Sequence, residues 1–252
     1  MQDQFSRTRL LFGSAAVDKL ANCHVAVFGV GGVGGYVTEV LARSGVGALD
    51  LIDSDRVCLS NINRQIIALH STIGQLKVEV AKARIHDINP DCKVHTYPTF
   101  YLPENADEFD LSQYDYVVDC IDTVTAKLEI IRRCHKLGVP VISSMGAANK
   151  MDATAFRVAD IEQTQMDPLA KIIRKKLRKE GIRGLKVVFS EEQPLQPIKE
   201  KDDAADPTAT NRPRAIPASN AFVPAAAGLV IGGEVVKDLI KDSWRLESKE
   251  QS

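Results

Sequence analysis

The chain has 252 residues, of which 44% are hydrophobic, 26% charged and 6% aromatic. This composition is that of an ordinary globular protein long enough to bury its own core, and it excludes a collagen, a coiled-coil rod and a wholly disordered chain. The 32 basic and 33 acidic residues leave a formal charge of −1, so any surface for nucleic acid has to be a local patch.

The five cysteines form no CxxC pair and their number is odd. The first residues are polar, so we expect no secretory leader and infer reduced cysteines in a cytoplasmic protein. The most apolar late stretch, residues 221–233, is too short to span a bilayer and contains Pro224. We therefore expect a buried helix there and no integral membrane span.

In the first 150 residues, short β-branched segments alternate with helical patterns. Strands are expected at 24–29, 48–53, 93–97, 114–119 and 139–143, and helices at 37–43, 77–88 and 125–137. Alternation of hydrophobic strands with helices predicts the α/β class, with a Rossmann-like, doubly wound and mostly parallel sheet.

The pattern changes after residue 150. Strands are expected at 153–158 and 186–190, helices at 168–179 and 225–241, and a mobile Pro-rich loop at about 191–215. We expect residues 1–150 to form the core, and residues 151–252 to be an extension that completes the same domain.

A glycine-rich turn follows the first predicted strand. Residues 29–34, GVGGVG, satisfy GxGxxG between a strand and a helix, which lets the backbone approach a phosphate chain at the helix N-terminus. Asp53, at the end of the next strand, is placed to accept hydrogen bonds from ribose hydroxyls. The motif alone does not separate a dinucleotide from ATP.

The loop after Asp53 favours ATP. It carries Asn61, Arg64 and Gln65, and Lys77 opens the following helix. An enzyme that splits a triphosphate needs such groups, because charge develops on the phosphate oxygens during the reaction. Arg64 can bracket phosphates in a bidentate manner, and Lys77 supplies a point charge.

Four motifs in order resemble the adenylating domain of ubiquitin-activating-type enzymes. They are the glycine turn, Asp53, the NINRQ segment at 61–65 with Lys77, and DCID at 119–122. That family includes the molybdopterin-synthase and thiamine sulfur-carrier adenylyltransferases. The resemblance implies a Rossmann-like fold, ATP and Mg²⁺ as cofactors, and a homodimer. It leaves open whether a monovalent cation also binds.

Carried over by position, the resemblance assigns the nucleotide site to a set of residues: Gly29, Gly31, Gly32, Gly34, Asp53, Asp55, Asn61, Arg64, Gln65, Lys77 and Asp122. The implied catalytic residues are Arg64, Lys77 and Asp122, with Asp122 holding Mg²⁺ through ATP, while Asp119 is the more structural acid. Arg7 resembles the arginine that enters the ATP site of the partner subunit, and the neighbouring Arg9 is also eligible.

The second half contains three informative segments, at 160–178, 187–192 and about 219–233. They are similar to the tRNA threonylcarbamoyladenosine dehydratases. Sulfur-carrier adenylyltransferases usually have two zinc-binding CxxC pairs in this half, whereas no cysteine follows Cys134 here, so we expect no structural zinc. Sulfur-transfer proteins of the cysteine desulfurase system remain candidate partners.

Residues 171–186 carry eight basic side chains against Glu180 alone, a local charge of +7. A cluster this dense in a neutral protein is the expected footprint for RNA phosphates, although a solvated helix face is the alternative. The predicted tRNA contacts are Lys171, Arg174, Lys175, Arg178 and Lys179.

The implied reaction is the ATP-dependent dehydration, by cyclisation, of threonylcarbamoyladenosine next to the anticodon of tRNA. Its side-chain carboxylate would be activated as an acyl-adenylate, and activation as an acyl phosphate stays open. One alternative is an adenylyltransferase for the C-terminus of a ubiquitin-like sulfur carrier. A nicotinamide-dependent oxidoreductase would leave Arg64, Lys77 and Asp122 without a role, and a non-catalytic RNA- or partner-binding module would turn over no nucleotide.

Overall fold

The computed structural model describes residues 3–198 and 217–244, and in them seven strands form one sheet. The strands follow each other across the sheet in the order β3-β2-β1-β4-β5-β7-β6. All neighbours run parallel except β6, which is antiparallel to β7. The predicted α/β class with a mostly parallel sheet is confirmed. The strands are β1 (His24–Phe28), β2 (Ala48–Ile52), β3 (Lys93–Tyr97), β4 (Tyr116–Asp119), β5 (Val141–Ser144), β6 (Phe156–Asp160) and β7 (Lys186–Ser190).

The described residues contain seven α-helices, and local signals mark the start of α6 and the end of α3. The Asp167 carboxylate accepts a hydrogen bond from the Ala170 N–H at 2.9 Å and starts α6, with Pro168 in its first turn. Gly45, at φ +91°, ends α3. The helices are α1 (Ser6–Phe12), α2 (Ser14–Leu20), α3 (Gly34–Ser44), α4 (Lys77–Ile88), α5 (Val124–Leu137), α6 (Pro168–Lys179) and α7 (Val223–Ile240).

Helices cover both faces of the sheet. On one face, α3, α4 and α7 pack on outward-pointing valines and leucines of β1 and β2, while α5 and α6 pack on the other face. Helices α3 and α7 lie very close, since a Cβ atom on Gly232 would come within 2.6 Å of the Val40 Cβ. This two-sided cover explains why the central strands are continuously apolar.

The chain after residue 150 contributes to the same sheet, because β7 lies between β5 and β6. Most of the predicted Pro-rich loop lies outside the described residues, which stop at Ile198 and resume at Pro217. Among the described helices, none has the length and apolar character needed to cross a membrane.

The chain builds β1, β2 and β3 toward one edge and then returns to place β4 on the other side of β1. The loops that leave the carboxyl ends of β1 and β4 therefore run in opposite directions and open a crevice between them. Such a switch point is where open α/β sheets bind ligands.

Candidate active site

A cleft of about 550 Å³ lies at the carboxyl ends of β1, β2, β4 and β5. It contains nearly all of the predicted nucleotide residues that belong to this subunit. Those that line it are Gly29, Gly31, Gly32, Asp53, Asp55, Asn61, Arg64, Gln65, Lys77 and Asp122.

The glycine turn works through its backbone. Gly29 has φ +88°, and a Cβ atom there would lie 2.8 Å from the Cys120 carbonyl oxygen. Gly34 does not line the cleft: it is the first residue of α3, where a Cβ atom would lie 1.8 Å from the Gly29 carbonyl oxygen. The structure thus gives Gly34 a packing role, and its predicted nucleotide contact stays a prediction, whereas Gly31 and Gly32 line the cleft.

Asp53 stands at the end of β2 and holds the glycine turn. Its Oδ2 accepts from the Val30 N–H at 2.7 Å, and its Oδ1 accepts from the Asp55 N–H at 2.8 Å. Burial raises the pKa of this carboxyl, against the lowering effect of Lys77. Each oxygen retains a further lone pair, so the carboxylate can still accept hydrogen bonds from a ribose.

The two predicted cations differ in how they are held. Lys77 is nearly buried, and its Nζ lies 2.6 Å from Asp55 Oδ2. Arg64 donates from Nη1 to the Ser60 carbonyl at 3.0 Å and to Asn63 Oδ1 at 2.9 Å. Within the described residues its Nη2 and Nε have no partner, so one edge of the guanidinium is available to an anion in the cleft.

Two buried amides complete this wall. The Asn61 Oδ1 accepts from the Cys58 N–H at 3.0 Å, which fixes the short 3₁₀ turn Leu59–Asn61 that precedes Arg64. Gln65 is buried, and its Oε1 has no hydrogen-bond partner in the described residues. An orphaned amide at the floor of a cleft fits a polar ligand, because leaving such a group unpaired is costly. The residues present therefore fit a nucleotide.

Asp122 follows β4 and is exposed at the cleft, where the Thr123 hydroxyl donates to its Oδ1 at 3.4 Å. The neighbouring Asp119 is fully buried and bonds to Lys127 at 2.7 Å. Asp122, unlike Asp119, is thus open to a cation.

Lys127 was missed by the sequence reasoning, because a lysine in a helical pattern gives no signal of burial. Its Nζ also donates to the Ser144 carbonyl at 2.9 Å, and Ser144 lines the cleft. Asp119 Oδ1 in turn accepts from the Ile121 N–H at 3.2 Å. This buried ion pair therefore ties the loop before Asp122 to the end of β5.

The N-terminal helix distinguishes the two candidate arginines. Arg9 is engaged within its own chain, with ion pairs to Asp18 at 3.0 Å and to Asp3 at 3.3 Å. Arg7 is exposed and has no hydrogen bond or ion pair among residues 3–198 and 217–244. Of the two, Arg7 is the side chain available to another subunit.

Some side chains of the basic segment, residues 171–186, are already paired within the chain. Arg174 donates to the Thr164 carbonyl at 2.8 Å, and Arg178 and Arg183 both pair with Glu162. These are internal contacts where the sequence predicted RNA contacts for Arg174 and Arg178. Three exposed lysines, four residues apart on α6, have no partner in the described part of the chain: Lys171, Lys175 and Lys179.

Comparison with known proteins identifies the family of the chain. The profile of the ThiF family matches residues 5–249. The chain belongs to the ThiF family. Within that family it is 50% identical over 246 residues to the tRNA threonylcarbamoyladenosine dehydratase of Bacillus subtilis, a match that covers 96% of each chain.

Solved structures of a second ThiF relative agree. The E. coli tRNA N6-threonylcarbamoyladenosine dehydratase in complex with ATP superposes with a TM-score of 0.84 and 33% identity, covering 99% of this chain and 96% of that chain. Its complex with AMP also gives a TM-score of 0.84 at 33% identity, with 95% of each chain covered. The match extends through the second half, which is the half that distinguishes the predicted branches.

Proposed function

We propose that this ThiF protein is an ATP-dependent tRNA threonylcarbamoyladenosine dehydratase. The observation that carries the proposal is the near full-length, 50% identical dehydratase relative. The cleft agrees with it, because a free guanidinium edge, a buried ammonium and an orphaned amide converge at the switch point of the sheet. The alternative carrier-protein adenylyltransferase would use the same cleft, but the relative that matches the second half at 50% overall identity is a dehydratase.

The proposed reaction has two steps, and the first activates the carboxylate. A carboxylate oxygen of the threonine side chain attacks the α-phosphorus of ATP, and pyrophosphate leaves. Arg64 and Lys77 stabilise the negative charge that develops on the phosphate oxygens. Asp122 is the residue that would hold Mg²⁺, which neutralises phosphate charge when bound.

The second step closes a ring. The carbamoyl nitrogen of the same side chain attacks the activated carbonyl carbon and loses a proton, and AMP leaves with the former carboxylate oxygen. Because the nucleophile is tethered to the electrophile, its effective molarity is high and no enzyme nucleophile is needed. The half-buried Cys120 fits this picture, since desolvation of its thiol raises the pKa of that group.

We further propose that the protein acts as a cytoplasmic homodimer in which Arg7 reaches the partner's nucleotide. Two observations support the role of Arg7: its exposure and its lack of a partner in the described residues. A cytoplasmic location is supported by the proposed tRNA substrate and by the five free cysteines.

The lysine face, defined as Lys171, Lys175 and Lys179, is the proposed contact to tRNA phosphates. Replacing all three by glutamine should weaken tRNA binding and lower the slope of log K against log salt by about one for each lysine. A matched control replaces three exposed lysines elsewhere, Lys19, Lys93 and Lys136, and makes the same charge change. Filter binding at several salt concentrations measures both variants, and an equal loss in the control would contradict the assignment.

The function is tested by mass spectrometry of nucleosides. Threonylcarbamoyladenosine-bearing tRNA is incubated with the protein, ATP and Mg²⁺, and we expect the modified nucleoside to lose one water. Omission of ATP should abolish that loss, and AMP as the nucleotide product identifies attack at the α-phosphate. An unchanged nucleoside with a folded, ATP-binding protein would refute the dehydratase assignment, and pyrophosphate exchange stimulated by a carrier protein would then support the alternative.

A further inference from the structure

A compact set of side chains that could hold a metal ion lies on the first three strands, outside the residues that line the cleft. It brings together His24, the first residue of β1, with Asp50 and His95, the middle residues of β2 and β3, and the ligand atoms of the three all lie within 4.8 Å of one another. The Asp50 Oδ1 is 2.7 Å from His24 Nε2 and 2.8 Å from His95 Nδ1. Two imidazoles therefore converge on one carboxylate oxygen.

The carboxylate is held in place from its other side. Asp50 Oδ2 accepts from the Tyr114 hydroxyl at 2.7 Å and from the Tyr97 hydroxyl at 3.2 Å. The Asp50 side chain is 1% exposed. Orienting a ligand carboxylate by outer hydrogen bonds is how proteins prepare a metal site.

The donor set selects the ion. Two imidazole nitrogens and one carboxylate oxygen, with a fourth position open to water, form a common zinc environment. Ligand atoms around a tetrahedral zinc are about 3.3 Å apart, so the two spacings from Asp50 Oδ1 to the imidazole nitrogens, 2.7 Å and 2.8 Å, must open by about half an ångström. The His95 side chain is 57% exposed, which leaves it free to make that adjustment and leaves room for a water ligand.

We propose that His24, Asp50 and His95 form a binding site for a zinc-type divalent cation that joins β1, β2 and β3. The site is separate from the nucleotide cleft, since none of its three residues lines that cleft, which lies at the carboxyl ends of the strands. Its role is structural, because an ion held by three neighbouring strands stabilises the folded chain over the unfolded one. The expectation of no structural zinc rested on the cysteines alone, whereas this site has two histidine ligands and one aspartate ligand.

The test is calorimetric titration of the full-length, chelator-treated protein with Zn²⁺ in the absence of nucleotide. We expect one saturable site per chain and a rise in Tm with added Zn²⁺. His95→Gln should weaken that binding by at least about tenfold, the scale on which even outer partners affect metal affinity. Co²⁺ in place of Zn²⁺ should give tetrahedral visible bands that His95→Gln removes.

His86→Gln is the matched control, since His86 is an exposed histidine on α4 outside the cluster. This variant should bind Zn²⁺ as the parent does, and circular dichroism verifies that both variants are folded. The proposal is overturned if the parent shows no saturable binding. It is equally overturned if His95→Gln binds with the parent's affinity, because the ion would then occupy another site.

Discussion

Replacing Arg64 by alanine should reduce the turnover of threonylcarbamoyladenosine by about 10²–10³-fold, the usual cost of one lost charge-stabilising donor. The structure supports a chemical effect with little loss of stability, because the guanidinium is only partly buried and bonds to its own loop at Ser60 and Asn63. Single-turnover rates with saturating ATP measure the chemical step directly. Thermal unfolding of the same variant should stay close to that of the parent.

Arg43→Ala provides the matched control. Arg43 lies on α3, is more than half exposed, and pairs with Glu39, which keeps a second partner in Arg84. It is outside the cleft, so its removal should leave turnover unchanged. If Arg64→Ala retained the parent's rate, the guanidinium would not touch the reacting phosphate. If it raised only the KM for ATP, its contribution would be equal in the ground and transition states.

The sequence predicted much of the fold because local chemistry decides it. The bounds of α4, α6, β3 and β7 agree with the structure. Asp167 and Pro168 are a local start signal for α6, and Asn89-Pro90 is a local stop signal for α4. Such signals act in any tertiary surroundings. The strand expected at 153–158 begins later, at Phe156, because its true bounds are set by pairing with β7.

Features without a local signal could not be predicted in this way. Helix α1 buries none of its residues, so it has no apolar periodicity to detect. The pairing of Arg178 with Glu162 depends on how α6 lies over the turn before it, which no local pattern encodes. The cluster at Asp50 joins three strands, and the distances between its members in sequence carry no motif.

The same distinction holds for the candidate site. Residues in short motifs, such as Arg64 and Gln65, were identified because their chemistry is visible in the sequence and their loop is continuous. Leu169 and Ser144 also line the cleft, but they come from the start of α6 and the end of β5. Only the folded sheet brings these segments together.

Replacing the buried Lys127 by methionine should reduce the free energy of unfolding by about 3–5 kcal/mol. Both members of the Lys127–Asp119 pair are 0% exposed, so the variant would leave a carboxylate without its cation in the protein interior. Ser143 Oγ, 2.6 Å from Asp119 Oδ2, would remain as a neutral donor and recover only part of the loss. Urea unfolding followed by circular dichroism gives the change in stability.

Two further variants distinguish the buried charge from a general effect of the substitution. Lys136→Met on the same helix removes an exposed lysine and should change stability by less than about 0.5 kcal/mol. Lys127→Met combined with Asp119→Leu removes both charges and should recover much of the lost stability, because apolar replacements of buried pairs are often nearly neutral. If the double variant were no more stable than Lys127→Met alone, the lost hydrogen bonds, from Lys127 to the Ser144 carbonyl and from the Ile121 N–H to Asp119, would outweigh the uncompensated charge. The ion pair would then act chiefly by holding the two loops of the cleft in register.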